Sequence, residues 1–370
     1  MKTEDMPVLD LCGSPRENGR HHGEILRAEI KATIDLWQSS ATLPAGITFP
    51  WAVESLIQST GFIAQIKAHI PDLLEEIAGI AEGANQDLNL VLAFQLGDEM
   101  RWFFRDQDVR ADRCSAIGAA GIGAEPTIIG QNIDVGSWAD GMQVLLRIRD
   151  PRDESETLVF TVAGMVAMNG VSGRGFGLCC NTLLQLSPNP RGLPVAAIVR
   201  RTLASRTAAE ALHVLRTIPH ASGQNYVFGS RTEIRNLECG GSGIAEYRHG
   251  ARIDRVIHTN HPLVHKDAVF PLGPLLETSS RLRLESLDRR FASMTGPSTY
   301  EEVVEVLQAR DDPDFPVCRE TELDRSDPYW MTIAATIFEI GDTVQMHCAA
   351  GPPTQSQFVR FGVNPPRCCA

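Results

Sequence analysis

Cys114 stands in "ADRCSAIGAAG", residues 111–121, where a charged, turn-like segment gives way to small and apolar residues. A thiol at the head of such a run can act as a nucleophile, because a thiolate attacks a carbonyl carbon and leaves a thioester that water or an amine resolves. Three other stretches each carry a notable polar or charged side chain: "GQNID" (130–134) with Asp134, "HTNHPLVHKD" (258–267) with Asn260 and "DFPVCRETE" (314–322) with Arg319. Each has a plainer reading: a buried core thiol, a turn-stabilising Asp, an Asn closing a turn before Pro262, and a surface salt bridge at Arg319.

With "GSPRENGRHHG" (13–23), "DRCS" (112–115) and "AGMVAMNGVSGRGFGLCCNTLL" (163–184), these stretches run over most of the chain in one order. Together they resemble the acyltransferase/hydrolase family typified by fungal isopenicillin N acyltransferase, the cysteine branch of the N-terminal-nucleophile hydrolases. The resemblance implies an α+β fold, a four-layer αββα sandwich with a mainly helical N-terminal segment. It also implies a precursor that cuts itself between Arg113 and Cys114. Residues 1–113 would become the small chain and 114–370 the large chain carrying the nucleophile, within one integrated structural unit.

The resemblance further implies roles: Cys114 as nucleophile, Asn260 as oxyanion donor, Asp134 as the acid near the nucleophile, Arg319 beside the pocket as a substrate-binding or Asp134-fixing cation, and Asn169, next to Gly170, in the pocket wall. In the precursor the Cys114 thiolate would attack the Arg113 carbonyl. The freed α-amino group, whose ordinary pKa is about 7.7–8.0, then serves as general base to its own thiol. Two positions depart from the fungal pattern: Arg113 stands where Gly precedes the nucleophile, and Cys318 stands where a serine precedes the arginine.

The reaction expected is hydrolysis of a small N-acyl or amino-acyl amide through an acyl-enzyme. The alternative is transfer of an acyl group from acyl-CoA or an amide to an amine. A second alternative, an uncleaved binding relative, is favoured only by Arg113. No cofactor is expected, and no metal: Pro262 interrupts any helix through His258, His261 and His265, and on a strand the first two face opposite sides. "GVSGRGFG" (170–177) lacks the Lys-Ser/Thr end of a phosphate loop and reads as a tight turn between strands.

A net charge of −12 and a pI near 5.3 argue against nucleic acid or anionic lipid as partners. No apolar run approaches the roughly 20 residues of a membrane span, and the acidic start is unlike a signal peptide. Cytoplasmic placement is therefore expected, with most of the nine cysteines as small core residues. The partner expected is a small-molecule amide or acyl substrate, and oligomeric state is left open.

The elements that must hold these residues follow from periodicity. The first 110 residues read as helices after a short strand at "MPVLDLC", and "PDLLEEIAGIAEGA" offers a starting proline and a closing glycine. The glycines of "GRHHG" suggest close packing of a helix on a sheet, with His22 structural. From Cys114 short apolar runs alternate with Gly, Asn, Asp and Pro, as strands and turns do. Helices at "PVAAIVRRTLASRT" and "TAAEALHVLRTI" follow, then strands "NYVFGS" and "DRVIHTN", helices around 277–291 and 299–309, and a closing hairpin about "GDT".

Overall fold

Strand β1 (Val8–Leu11) leads into seven helices: α1 (Pro15–Ile25), α2 (Arg27–Ser40), α3 (Phe49–Ser59), α4 (Phe62–His69), α5 (Pro71–Ala84), α6 (Leu88–Phe94) and α7 (Gly97–Phe103). The structure, a computed structural model, describes residues 2–104, 114–248, 254–271, 273–292, 294–320 and 330–367. Arg113, and with it the expected cleavage site, lies outside the described residues, as do Cys368 and Cys369.

Helix α1 starts on a capping box, Ser14 with Glu17, and has Pro15 in its first turn. It then crosses α5 at backbone contact. Gly19 and Gly23 are four apart on α1, and Gly79 and Gly83 are four apart on α5. A Cβ on Gly19 would lie 1.9 Å from the Glu76 carbonyl oxygen, and one on Gly83 2.3 Å from that of Arg20. The glycines of "GRHHG" thus pack helix on helix, not helix on sheet, because a side chain on either helix would hold the axes apart. Gly83 serves the crossing, and the helix is closed by Asn85, which takes the left-handed conformation (φ 55°). His22 sits in this crossing with Nε2 accepting the Gly164 N–H at 3.1 Å, and burial pushes its pKa down to about 3.

After Cys114 the chain builds two sheets. The six-stranded sheet has the order β11-β2-β3-β12-β13-β14: β2 (Ser115–Ala119), β3 (Thr127–Gly136), β11 (Arg255–His258), β12 (Trp330–Ile340), β13 (Val344–Ala349) and β14 (Val359–Val363). The eight-stranded sheet runs β1-β4-β5-β6-β7-β8-β9-β10, with β4 (Gln143–Arg149), β5 (Glu156–Val162), β6 (Asn169–Ser172), β7 (Phe176–Thr182), β8 (Gln224–Ser230), β9 (Glu233–Gly240) and β10 (Gly243–Glu246). Neighbours pair antiparallel except β1, which lies parallel to β4. "GVSGRGFG" is the β6–β7 turn, with Gly175 at φ +83°.

Helices α8 (Val195–Leu203) and α9 (Ala208–Thr217) are tied to the eight-stranded sheet, and α10 (Pro274–Leu287), α11 (Tyr300–Leu307) and the π-helical turn Asp288–Ala292 cover the six-stranded one. The result is the expected four-layer αββα sandwich. Both faces of β2 and β3 are covered, so every residue of the two strands is buried. Along β3, Ile129 and Ile133 belong to the core between the sheets, while Ile128 belongs to the core under α10 and α11. Asp134 shares the second face with Asn132, whose amide donates to the carbonyls of Leu307 and Val317.

The N-terminal helices share the inner core with the sheets. A buried bidentate pair adds to this: Arg200 on α8 donates to both carboxylate oxygens of Glu76 on α5, at 2.7 and 2.6 Å. Among the described residues no helix is long and apolar enough to cross a membrane.

Candidate functional site

Cys114 immediately precedes β2, where Ser115 pairs with Asn132 of β3. This register brings the thiol beside the end of β3, its Sγ 3.9 Å from the Asp134 carbonyl oxygen. Cys114 is 6% exposed, and that exposure is into a cavity of about 500 Å³. The cavity walls are largely apolar: Trp37, Phe94, Ile133, Trp138, Met165 and Trp330 are among them. Residues of the N-terminal helices and the 39–43 segment form one side, so the segment before Cys114 completes the pocket.

A guanidinium organises the site. Arg283 on α10 is 1% exposed. Its Nη1 donates to the Cys114 carbonyl at 2.7 Å and to Ser115 Oγ at 3.0 Å, and its Nη2 donates to Asn260 Oδ1 at 3.0 Å. One fixed fork therefore links the backbone of Cys114, the candidate nucleophile, to the candidate oxyanion amide. With Oδ1 taken by Arg283, the Asn260 amide can point only one way. Its Nδ2 donates to the Thr182 carbonyl at 3.1 Å, and Thr182 lines the cavity. Arg283 was not singled out in the sequence, because an Arg on an amphipathic helix looks like any surface cation.

The loop carrying Asn260 is held from behind. The Asn260 N–H donates to Ser280 Oγ at 2.8 Å, and His261 Nδ1 lies 2.7 Å from the same hydroxyl. Glu238, fully buried on β9, accepts N–H groups from Leu263, Val264 and His265 and lies 2.9 Å from His258 Nε2. Burial opposes ionisation of Glu238, but the His258 hydrogen bond and charge and the loop N–H groups prevail and hold its carboxyl below the usual range. Burial also pushes His261 down to about 4. The three histidines of "HTNHPLVHKD" thus have separate partners: Glu238, Ser280 and, for His265, the Gly243 carbonyl.

Asp134 lies within β3, near its end, and is fully buried, not in a turn. Thr332 on β12 lies opposite and donates its hydroxyl to Asp134 Oδ1 at 2.7 Å. A bulge at Ile333 distorts β12 there. Arg319 reaches this group through its backbone, donating its N–H to Thr332 Oγ1 at 2.9 Å. It is 1% exposed, so it is no surface salt bridge, and its guanidinium donates to the Asp314 carbonyl at 3.0 Å.

Of the expected site residues Cys114 alone is among the described cavity-lining residues; Asp134, Asn169, Asn260 and Arg319 are not. Asn169 lies behind the wall, donating to Gln131 Oε1 at 2.7 Å and Thr336 Oγ1 at 2.8 Å; Gln131 is the residue that faces the cavity. Cys318 contacts Thr354 Oγ1 at 3.4 Å, and burial pushes its thiol up to about 12. Burial likewise pushes up Cys179, Cys239 and Cys348, which are packing residues. Cys180 meets the cavity too, but from inside β7, with Sγ 3.3 Å from the Met168 carbonyl oxygen.

Residues 123–353 match the profile of a family described as acyl-coenzyme A:6-aminopenicillanic acid acyl-transferase. The chain is similar to the 40 kDa form of acyl-coenzyme A:6-aminopenicillanic-acid-acyltransferase of Emericella nidulans, 26% identical over 312 residues and 83% of each chain. Among solved structures it is similar to a Caenorhabditis elegans N-acylethanolamine-hydrolyzing acid amidase ortholog, with TM-score 0.44, 14% identity, and 60% of this chain and 92% of that one covered. Penicillin V acylase from Agrobacterium tumefaciens gives TM-score 0.36, 12% identity, and 64% and 83% coverage.

Proposed function

Since the chain belongs to the acyl-coenzyme A:6-aminopenicillanic acid acyl-transferase family, whose profile covers more than half of it, we propose that it is a self-processing enzyme that cleaves a small N-acyl or amino-acyl amide through an acyl-enzyme on Cys114. The observation carrying this reading is the placement of Cys114: its thiol borders the apolar cavity while Arg283 joins its carbonyl to the Asn260 amide. The profile match begins after Cys114, so the nucleophile rests on this geometry and on the resemblance of "DRCS", not on the match itself.

Self-cleavage breaks the Arg113–Cys114 peptide bond and leaves Cys114 with a free α-amino group. In the mature enzyme that amine takes the thiol proton, the thiolate adds to the substrate carbonyl, and the second N–H of Asn260 meets the oxyanion. Collapse expels the amine, which takes up the proton, and leaves a thioester that water hydrolyses to free acid and thiol. Asp134, fixed by Thr332, orients the ammonium form of the Cys114 amine, and Arg319 acts through Thr332 as a positioning residue. The same acyl-enzyme resolved by an amine gives acyl transfer, a reading favoured by the names of the family and of the Emericella relative. We place the enzyme in the cytoplasm, because seven described cysteines, including vicinal Cys179 and Cys180, are free thiols.

Intact-mass analysis of denatured protein tests the self-processing step. Wild type should give fragments 1–113 and 114–370, and Cys114→Ala a single full-length species; full-length wild type after native incubation would overturn it. A panel of acyl amides with and without an added amine then separates hydrolysis from transfer by the product formed.

A further inference from the structure

The cavity is largely apolar, yet among its described lining residues two are charged, Asp98 and Arg101, neighbours on α7. The Asp98 carboxylate is held firmly. Oδ2 accepts from the Thr182 hydroxyl at 3.0 Å and from Gln224 Nε2 at 2.7 Å. Its other oxygen, Oδ1, forms an ion pair with Arg101 Nη1 at 3.7 Å, longer than a hydrogen bond, and the Arg101 guanidinium lies over the Trp330 ring, 5.8 Å from its centroid. The side chain of Asp98 keeps 16% of its exposure at this wall. A carboxylate hydrogen-bonded on one oxygen, its other oxygen at the cavity wall in a long ion pair only, is a recognition group for a cation with several N–H donors that can make the hydrogen bond the Arg101 pair does not.

Its location narrows the class. Thr182 holds Asp98 through its hydroxyl and Asn260 through its carbonyl, so one residue separates the carboxylate from the oxyanion amide. A cation on Asp98 therefore lies close to the scissile carbonyl, as the α-ammonium of an amino-acyl group does. We propose that Asp98 selects the substrate: an amide of an α-amino acid with a bulky apolar side chain, whose ammonium sits on Asp98 Oδ1 and whose side chain fills the space among Trp37, Phe94, Met165 and Trp330. This deepens the amide-hydrolase reading and rests on it for the identity of the reacting carbonyl, but the cation site itself does not depend on catalysis.

The test uses two ligands that cannot be hydrolysed, phenylalaninol and 3-phenylpropan-1-ol, which differ by the amino group alone. Titration calorimetry on wild type should show phenylalaninol binding about tenfold tighter or better. Asp98→Asn should abolish that preference while 3-phenylpropan-1-ol still binds, which reports an intact cavity. Equal affinities in wild type, no binding of either ligand, or a preference that survives in Asp98→Asn would each overturn the proposal; should the variant not fold, the wild-type pair decides alone. Reaction at Cys114 is scored separately, as release of p-nitroaniline from phenylalanine p-nitroanilide by wild type beside Cys114→Ala. An ammonium preference without such release would refute amino-acyl amide cleavage and leave the cation site standing.

Discussion

Replacing Arg283 with Met keeps a long apolar stem in the α10 position and removes the fork that joins Cys114 to Asn260. Three acceptors lose a donor: the Cys114 carbonyl, Ser115 Oγ and Asn260 Oδ1. The Ser115 hydroxyl can rotate to another partner, but the two carbonyl-type oxygens are buried and have no such freedom. Each unsatisfied buried acceptor costs about 1–3 kcal/mol, and relief of the buried cation's own desolvation offsets part of that, so a net loss of about 3 kcal/mol is expected. The larger effect is on rate. Without Arg283 the Asn260 amide can turn over and present its oxygen to the oxyanion, and losing one such donor costs about 10²-fold in kcat. The assay is steady-state kinetics on the self-cleaved variant beside a thermal melt, with Arg283→Lys as the conservative comparison. The expected signature is a fall in kcat with KM nearly unchanged, partly restored by Lys. A folded, cleaved Arg283→Met with kcat within a few-fold of wild type would refute the coupling between guanidinium and amide.

Gly19→Ala should destabilise by about 1–3 kcal/mol or more, because the new methyl would overlap the Glu76 carbonyl; urea melts of Gly19→Ala beside an exposed α1 control such as Glu24→Ala would show it. Burial, with the neighbouring Asp98 charge, raises buried Glu99 to about 7 against hydrogen bonds from Ser222 and Val195. A raised folded pKa means stability present at low pH and lost as pH climbs through 7, so Glu99→Gln should gain about 3 kcal/mol over wild type at pH 8 and little at pH 4.5. Burial lowers His22 to about 3 and His220 and His261 to about 4, so their contribution is present above pH 6.5 and lost as pH falls below it. Near pH 5.5 unfolding takes up about three protons at these histidines and releases about one from Glu99. Stability should therefore fall by about 2.7 kcal/mol per unit of acidification there, measurable by chemical denaturation across pH. Glu238→Gln, which removes the charge on which the N–H groups of Leu263, Val264 and His265 converge, should lower kcat more than it raises KM, because it loosens the loop that aims Asn260.

The layered fold was legible because its strands are short apolar runs between turn residues and several of its helices open on a proline or a capping side chain. The strands β9 and β14 were not: "EIRNLECG" alternates imperfectly and spends Glu238 on a buried loop anchor, and "VRFGV" is an edge strand with half its residues solvated. The residues of the candidate site, Cys114, Asp134 and Asn260, stood out by their motifs. What stayed hidden were the groups that position them. Arg283, Thr332 and Thr182 act through contacts made across the sandwich, and nothing in their local sequence tells a buried donor from an ordinary helix or strand residue. The role of Gly19 was half visible, since the glycines of "GRHHG" announce close packing but not the helix they meet, while Gly83 reads in sequence as a helix end and serves the crossing instead.

The parallel pairing of β1 with β4 gives the processing step a physical signature of its own. Four residues from the very start of the chain belong to the same ladder as strands that follow Cys114, and Glu76–Arg200 adds a second tie across the proposed cut. Scission at Cys114 would then release nothing from the native molecule; it would change the molecularity of its unfolding. The precursor melts as a unimolecular species, whereas the processed protein unfolds into two separate polypeptides, so its melting temperature should rise with protein concentration and its refolding should become second order.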